Sequence, residues 1–307
     1  MIKLGLVFAG QGAQYIGMGE EFYHNYPVAQ SVYQRASKVL GFDLAEICFT
    51  DVKGLLNQTA YVQPAILTTS MAIFEVAKEA GLKPSLLAGL SLGEYSALTA
   101  AGAIKLEDVL PLVYKRGQLM QDAVPLGQGA MAAVMGIKET VVEDICAGLD
   151  QVSIANYNCP GQVVISGAAK AVEAACELIK SEGGKTRKLK VSIPSHSRLM
   201  VKAAREFSTY LTNIAWLEPE IGVVSNVNAR VNSKEQIADL LQEQLYAPVL
   251  WEQSIRYLMS KVAGIIEIGP GEALTGLIKR IDNSFALGAI NNKESLAKIM
   301  EEVQRIG

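Results

Sequence analysis

The feature that most limits the fold of this chain is an alternation of short apolar runs ending at glycines with longer segments of helical hydrophobic spacing. Residues 3–9 form such a run and stop at Gly10-Gln11-Gly12, as a strand buried on both faces would. From Pro27, Val28, Val32, Ala36, Val39 and Leu40 recur at helical spacing until Gly41, which supplies a stop. Residues 64–80 repeat the pattern with Ile66, Ile73, Phe74 and Ala77, ending at Gly81. A strand is expected at 85–89, an Ala-rich helix at 92–101 closed by Gly102, and a helix at about 106–123 that carries Arg116. Strand and helix in alternation imply a parallel sheet covered on both faces, an α/β class.

The pattern changes after Pro125. Strands are expected at 129–136, 152–156, 162–167 and 186–192, with helices at 139–147 and 169–181. That order, βαββαβ, is the ferredoxin-like unit. It reads as a small domain, 125–192, inserted into a discontinuous larger one, 1–124 and 193–307. The parent pattern resumes with a helix at about 197–214, apolar runs at 222–224 and 264–268, and a helix after Gly271. The length, 307 residues, suits two domains at roughly 150 residues each.

Composition removes several classes of function. Lys and Arg number 28 against 31 Asp and Glu, a net charge of −3, and half the residues are hydrophobic, which argues against a polybasic nucleic-acid binder and against disorder. The four cysteines, Cys48, Cys146, Cys159 and Cys176, form no C-x-x-C pair, and there are two histidines, His24 and His196. A Cys/His zinc site is therefore not expected. The first residues, with one lysine and a short apolar run going straight into glycines, are not expected to act as a signal peptide, and no run approaches the ~20 apolar residues of a membrane span. A reduced, cytoplasmic enzyme is the expectation.

Gly89-Leu90-Ser91-Leu92-Gly93 falls where a strand meets a helix. In that context G-x-S-x-G makes a sharp elbow that lifts the serine hydroxyl above the sheet, and the Leu92 amide can donate to a developing oxyanion. A serine nucleophile needs a base. His24 lies at the polar end of a short helix, whereas His196, in Pro194-Ser195-His196-Ser197, lies where the inserted domain returns to the large one. His196 is the candidate base. No carboxylate between Ser91 and His196 is marked as the third member of a triad, so the site reads as a dyad oriented by a backbone or amide carbonyl. Gly10-Gln11-Gly12 lacks the third glycine of a dinucleotide fingerprint, leaving Gln11 either facing a ligand in the crevice or merely solvated. Arg116 is either a surface charge or a planar fork for a carboxylate. Lys185, Arg187, Lys188 and Lys190 are either one solvated face or a dock for an acidic partner.

Further segments add to these: F-A-G-Q-G-A-Q from Phe8, Q-P-A from Gln63, A-G-L-S-L-G-E-Y-S-A-L around Ser91, K-R-G at Arg116, and G-A-M-A-A-V-M-G from Gly129. N-Y-N-C-P-G-Q-V-V-I-S-G from Asn156, P-S-H-S at His196, Q-L-Y-A-P-V at Gln244 and E-I-G-P-G from Glu267 complete the set. Together they resemble the malonyl-CoA:acyl carrier protein transacylase family from end to end. The resemblance implies an α/β-hydrolase-like large domain with a ferredoxin-like small one. It also implies Ser91 as nucleophile, His196 as base, Gln11 and the Leu92 amide as oxyanion hole, Arg116 as malonyl-carboxylate site, and the Gln244 main-chain carbonyl as the group orienting His196. The partners implied are malonyl-CoA and acyl carrier protein, with a malonyl-serine ester between them. Exchange of thioesters needs no cofactor or metal. Two positions depart from the family pattern: Leu90 stands where a histidine is usual and Ala9 where a proline is usual. A stand-alone acyltransferase of a polyketide synthase would carry the same residues, and a serine esterase the same nucleophile.

Overall fold

In the computed structural model, residues 3–191 and 193–306 are described, and β1 (Leu4–Phe8) forms the centre of a five-stranded sheet. On one side it pairs with β2 (Leu86–Gly89), which pairs with β7 (Gly222–Val224); on the other lies β8 (Gly264–Ile268), then β9 (Ala286–Ile290). All four pairings are parallel. Every residue of β1 and β8 is buried, because both faces of the sheet are covered. Leu4, Leu6 and Phe8 pack on one side with α2 (Pro27–Leu40), α4 (Thr59–Glu79) and α6 (Leu106–Asp122). Val7, Ala88 and Val224 pack on the other with α11 (Trp251–Met259) and α12 (Ala273–Asp282). The side chains of one strand thus alternate between two cores.

The second sheet is antiparallel, in the order β4 (Val152–Cys159), β5 (Gln162–Ala168), β3 (Gly129–Met135), β6 (Lys185–Lys188). Helices α7 (Glu139–Ala147) and α8 (Ala169–Ser181) cover the face that carries Ala130, Ala132 and Val134. The other face, carrying Met131, Ala133 and Val164, looks into a cavity shared with the first sheet. A parallel α/β sheet and a separate antiparallel sheet are the fold class the pattern implied. The segment just before α11 also meets β4 through the backbone: Val249 N donates to Ala155 O at 2.8 Å and Tyr157 N to Val249 O at 3.0 Å.

Several expected boundaries shift. Helix α4 begins at Thr59 rather than 64, so Pro64 lies inside it, where the ring removes one backbone donor without ending the helix. Strand β4 continues past Asn156 to Cys159 through two register irregularities. The expected strand at 186–192 is instead Lys185–Lys188, and Ser192 lies outside the described residues. The helix expected from 197 begins as a short 3-10 turn and becomes α9 only at Val201–Leu211. No helix among the described residues is long and apolar enough to cross a membrane. Nor do the described residues group three or more His, Cys, Asp or Glu side chains suited to a metal.

Candidate active site

Three glycines make the elbow. A Cβ on Gly89 would sit 1.9 Å from the Gly93 carbonyl carbon, one on Gly93 would sit 2.1 Å from Phe8 O of β1, and one on Gly10 would sit 2.3 Å from Leu90 O. Strand β2, the loop after β1 and helix α5 (Leu92–Ala100) therefore approach backbone to backbone. Ser91, between them, has φ 53° and ψ −104°. A non-glycine residue held there costs on the order of 1–3 kcal/mol, and Asn226, just beyond β7, restrains it. Asn226 Oδ1 accepts from Ser91 N at 2.6 Å while its Nδ2 donates to Gly89 O at 2.7 Å, clamping the turn from both sides. Leu92 is the first residue of α5, so its amide has no carbonyl within the helix to bond.

His196 lies against this hydroxyl. Its Nε2 is 2.9 Å from Ser91 Oγ, and its Nδ1 is 2.7 Å from Gln244 O. A carbonyl only accepts, so Nδ1 carries the proton and Nε2 is free to accept from the serine. Gln244 ends α10 (Lys234–Gln244), where terminal carbonyls lack helical partners. Two successive ones hold the histidine: Gln244 O takes the ring, and Leu245 O takes the His196 amide at 3.0 Å. His196 is buried, and burial, followed by the nearby Arg116 charge, holds its pKa down to about 4 against the ordinary 6.5. The ring is accordingly neutral at physiological pH. His24 is exposed, 3.7 Å from Glu20 on its own helix, and takes no part here.

Arg116 is one of the most deeply buried large side chains in the molecule. What brings it to the site is Gly117, whose Cβ would lie 2.5 Å from Thr59 O and 2.7 Å from Ala60 Cα. The start of α4 therefore rests against α6. That contact places Gln63 Oε1 to accept from Arg116 Nη1 at 3.0 Å, and Thr59 Oγ1 to accept from Gln11 Nε2 at 3.3 Å. Arg116 Nη2 donates to Gln244 Oε1 at 3.0 Å and to Ser91 Oγ at 3.2 Å, and the guanidinium lies 5.3 Å over the Tyr95 ring. Among the described residues no carboxylate oxygen lies within ion-pair distance of this cation. Its burial lowers its pKa.

The structure thus brings Ser91, Arg116 and His196 to a cavity of about 550 Å³ between the two sheets, with Gln11 on its wall; Leu92 and Gln244 are buried beside them, Gln244 bonded to His196, Arg116 and Ser91. It divides the four basic residues. Arg187 and Lys190 line the cavity, whereas Lys188 is opposite Ala132 on the helix-covered face and borders a separate pocket under α8. Lys185 is exposed at the start of β6. They are not a single face, because alternation along β6 sends neighbouring side chains to opposite sides. Leu90 packs with Val7, Ala88 and Val224, so His196 is the one imidazole near the serine.

Sequence reasoning missed four polar residues here: Gln63, Glu94, Asn226 and the side chain of Gln244. Glu94 carried a readable signal, as a lone carboxylate one turn after Ser91 in the Ala- and Leu-rich α5. Asn226 carried none, since it acts from 135 residues away.

A model of the acyl transferase domain matches residues 6–296 of the chain. Over 303 residues, 96% of each protein, the chain is 43% identical to a malonyl CoA-acyl carrier protein transacylase of Bacillus subtilis. The chain belongs to this transacylase family. Its Escherichia coli K12 member is 40% identical over 98% of this chain and 100% of its own. A solved transacylase from Clostridium perfringens superposes with a TM-score of 0.96 at 43% identity, covering 99% of this chain and 98% of that one. A malonyl-transacylase solved in complex with a type II polyketide acyl-carrier protein reaches 0.95 at 41% identity, covering 98% and 99%. Transacylases of the family thus share both sheets with this chain.

Proposed function

We propose that this protein transfers malonyl from malonyl-CoA to the phosphopantetheine thiol of an acyl carrier protein, through an ester on Ser91. The observation that carries the proposal is the buried Arg116 guanidinium, without a carboxylate partner among the described residues, touching the hydroxyl of a Ser91–His196 dyad. Ser91 Oγ bonds to the thioester carbonyl carbon while its proton passes to His196 Nε2. The negative oxygen then faces the Leu92 amide at the start of α5 and Gln11. As the carbon–sulfur bond breaks, the CoA thiolate takes the proton from His196, leaving malonyl-Ser91. The carrier thiol reverses the sequence: it gives its proton to His196, its sulfur bonds to the carbonyl carbon, and Oγ leaves with the proton restored. Gln244 O keeps Nδ1 protonated throughout, in the place an acid takes in other triads.

Arg116 suits a carboxylated acyl group, because a planar fork can bind both carboxylate oxygens. The negative charge would also give this buried cation a direct partner, which no carboxylate among the described residues supplies. The cavity is large enough for a pantetheine arm, and Arg187 and Lys190 on its wall suit the phosphates of CoA or an acidic carrier. Every step uses side chains and main-chain groups of the protein itself, so the reading calls on no cofactor or metal.

The test is the mass of holo-carrier protein after mixing with malonyl-CoA and enzyme. A malonyl gain that is absent with Ser91→Ala is expected, and Arg116→Ala should let acetyl-CoA compete. Free malonate with an unmodified carrier would instead show a hydrolase. The similarity to a transacylase solved with a polyketide carrier supports a second reading, in which the carrier belongs to a polyketide synthase. Fatty-acid and polyketide carriers assayed side by side separate the two by kcat/KM.

A further inference from the structure

Glu94 is a buried carboxylate at the catalytic centre for which the reaction as written has no use. It projects from α5 one turn beyond Ser91, and two donors converge on a single oxygen: Gln244 Nε2 at 2.7 Å and Asn226 N at 3.1 Å. Both belong to the residues that shape the site. The Asn226 side chain clamps the elbow, and Gln244 supplies the carbonyl that holds His196.

The Gln244 amide has one orientation consistent with its neighbours. Arg116 only donates, so Oε1 faces it at 3.0 Å; Glu94 and Ser91 O accept, so Nε2 faces them at 2.7 and 3.1 Å. The amide therefore links a buried cation to a buried carboxylate. Because both ends are held, the side chain anchors the main-chain carbonyl that carries the imidazole.

We infer that Glu94 is a positioning residue for acyl transfer. Its carboxylate oxygen fixes the Gln244 amide, and through it the orientation of both Arg116 and His196. The acid missing from the dyad is thus present one residue removed, acting on the residue that orients the histidine. Burial as the main cause pushes the Glu94 pKa up to about 7, against the bonds from Asn226, Gln244 and Ser225 and the charge of Arg116. Keeping an acid there at that cost fits a role that alanine could not fill. A cavity of about 20 Å³ adjoins Glu94, lined mostly by apolar side chains with Ser225 and Asn232 as its other polar residues, wide enough for one water.

This inference rests on the proposed role of Arg116 as the carboxylate site. Native enzyme with malonyl-CoA is therefore the control: inactivity there would sink the function itself, independently of Glu94. The test compares Glu94→Gln and Glu94→Ala, their folding checked by near-UV circular dichroism, with malonyl-CoA and acetyl-CoA as donors. Glutamine keeps an oxygen acceptor at the same reach, so Glu94→Gln should stay within about threefold of native kcat/KM on both donors. Glu94→Ala orphans two buried donors and should lose about 10- to 100-fold on malonyl-CoA, with a smaller loss on acetyl-CoA because Arg116 is no longer held. If Glu94→Ala fails to fold, Glu94→Asp, one methylene short of Gln244, carries the same expectation. Native activity in Glu94→Ala, equal losses on both donors, or a Glu94→Gln as impaired as Glu94→Ala would each overturn the inference.

Discussion

Acidification tests whether His196 is a neutral, buried base. In the unfolded chain its imidazole takes a proton near the ordinary 6.5; in the native protein it does so near 4, because burial and then the Arg116 charge oppose the cation. As pH falls through this window the unfolded state binds the proton first, so native stability falls from 6.5 down to 4 and His196 adds no pH dependence above it. At about 1.4 kcal/mol per pH unit, the gap corresponds to roughly 3 kcal/mol. Glu94 acts in the opposite sense. Its carboxyl protonates near 7 in the native protein against an ordinary 4.5, so acidification from 7 to 4.5 favours the native state. Wild-type stability alone would mix the two effects, and a double difference separates them. Urea unfolding of wild type and His196→Ala at pH 8 and at pH 4 should show wild type losing about 3 kcal/mol relative to the variant. In the same window kcat/KM should hold steady from about pH 8 to pH 5 and fall near 4. Parallel pH dependence of the two proteins, together with an acid limb near 6.5, would show that His196 is solvated, and the site geometry would have to be redrawn.

Three further outcomes are expected. Asn226→Ala removes both bonds that clamp the elbow, and should cost about 1–3 kcal/mol in urea unfolding and about 100-fold in kcat as Ser91 leaves its strained geometry. Gly117→Ala forces a methyl against the backbone of Thr59 and Ala60; it should destabilise by about 1–3 kcal/mol and weaken malonyl selectivity, measured as the malonyl-to-acetyl kcat/KM ratio. Charge reversal at Arg187 and Lys190 should raise KM for the carrier protein several-fold at low salt, with the difference shrinking at high salt, whereas reversal at Lys188, on the other face of the sheet, should leave it unchanged.

What the sequence revealed follows from the range of the forces involved. The helices α7 and α8 and the strands β7 and β8 begin and end where periodicity and glycines placed them, because those signals are local. Strand β9 was not read: its residues, Ala286-Leu287-Gly288-Ala289-Ile290, are apolar, but the run is short, is broken by Gly288 and carries a single β-branched residue. Helix α4 was read five residues short because Pro64 resembled a first-turn proline. Ser91 and His196 were legible since each sits in a short motif at a junction of elements. Arg116 was legible as a candidate but not as a buried one, since its burial depends on Gly117 meeting the backbone of a helix more than fifty residues away. The Glu94–Gln244–Arg116 network joins positions as much as 150 residues apart, and only the fold brings them together.

The central claim is that the acyl group rests on Ser91 between donor and acceptor. Intact-protein and peptide mass spectrometry after mixing the enzyme with malonyl-CoA, without carrier protein, tests it directly. A malonyl adduct should appear on the peptide containing Ser91, vanish in Ser91→Ala, and disappear from native enzyme once holo-carrier protein is added. Transfer to the carrier with no adduct on Ser91, or an adduct that persists in Ser91→Ala, would contradict the account.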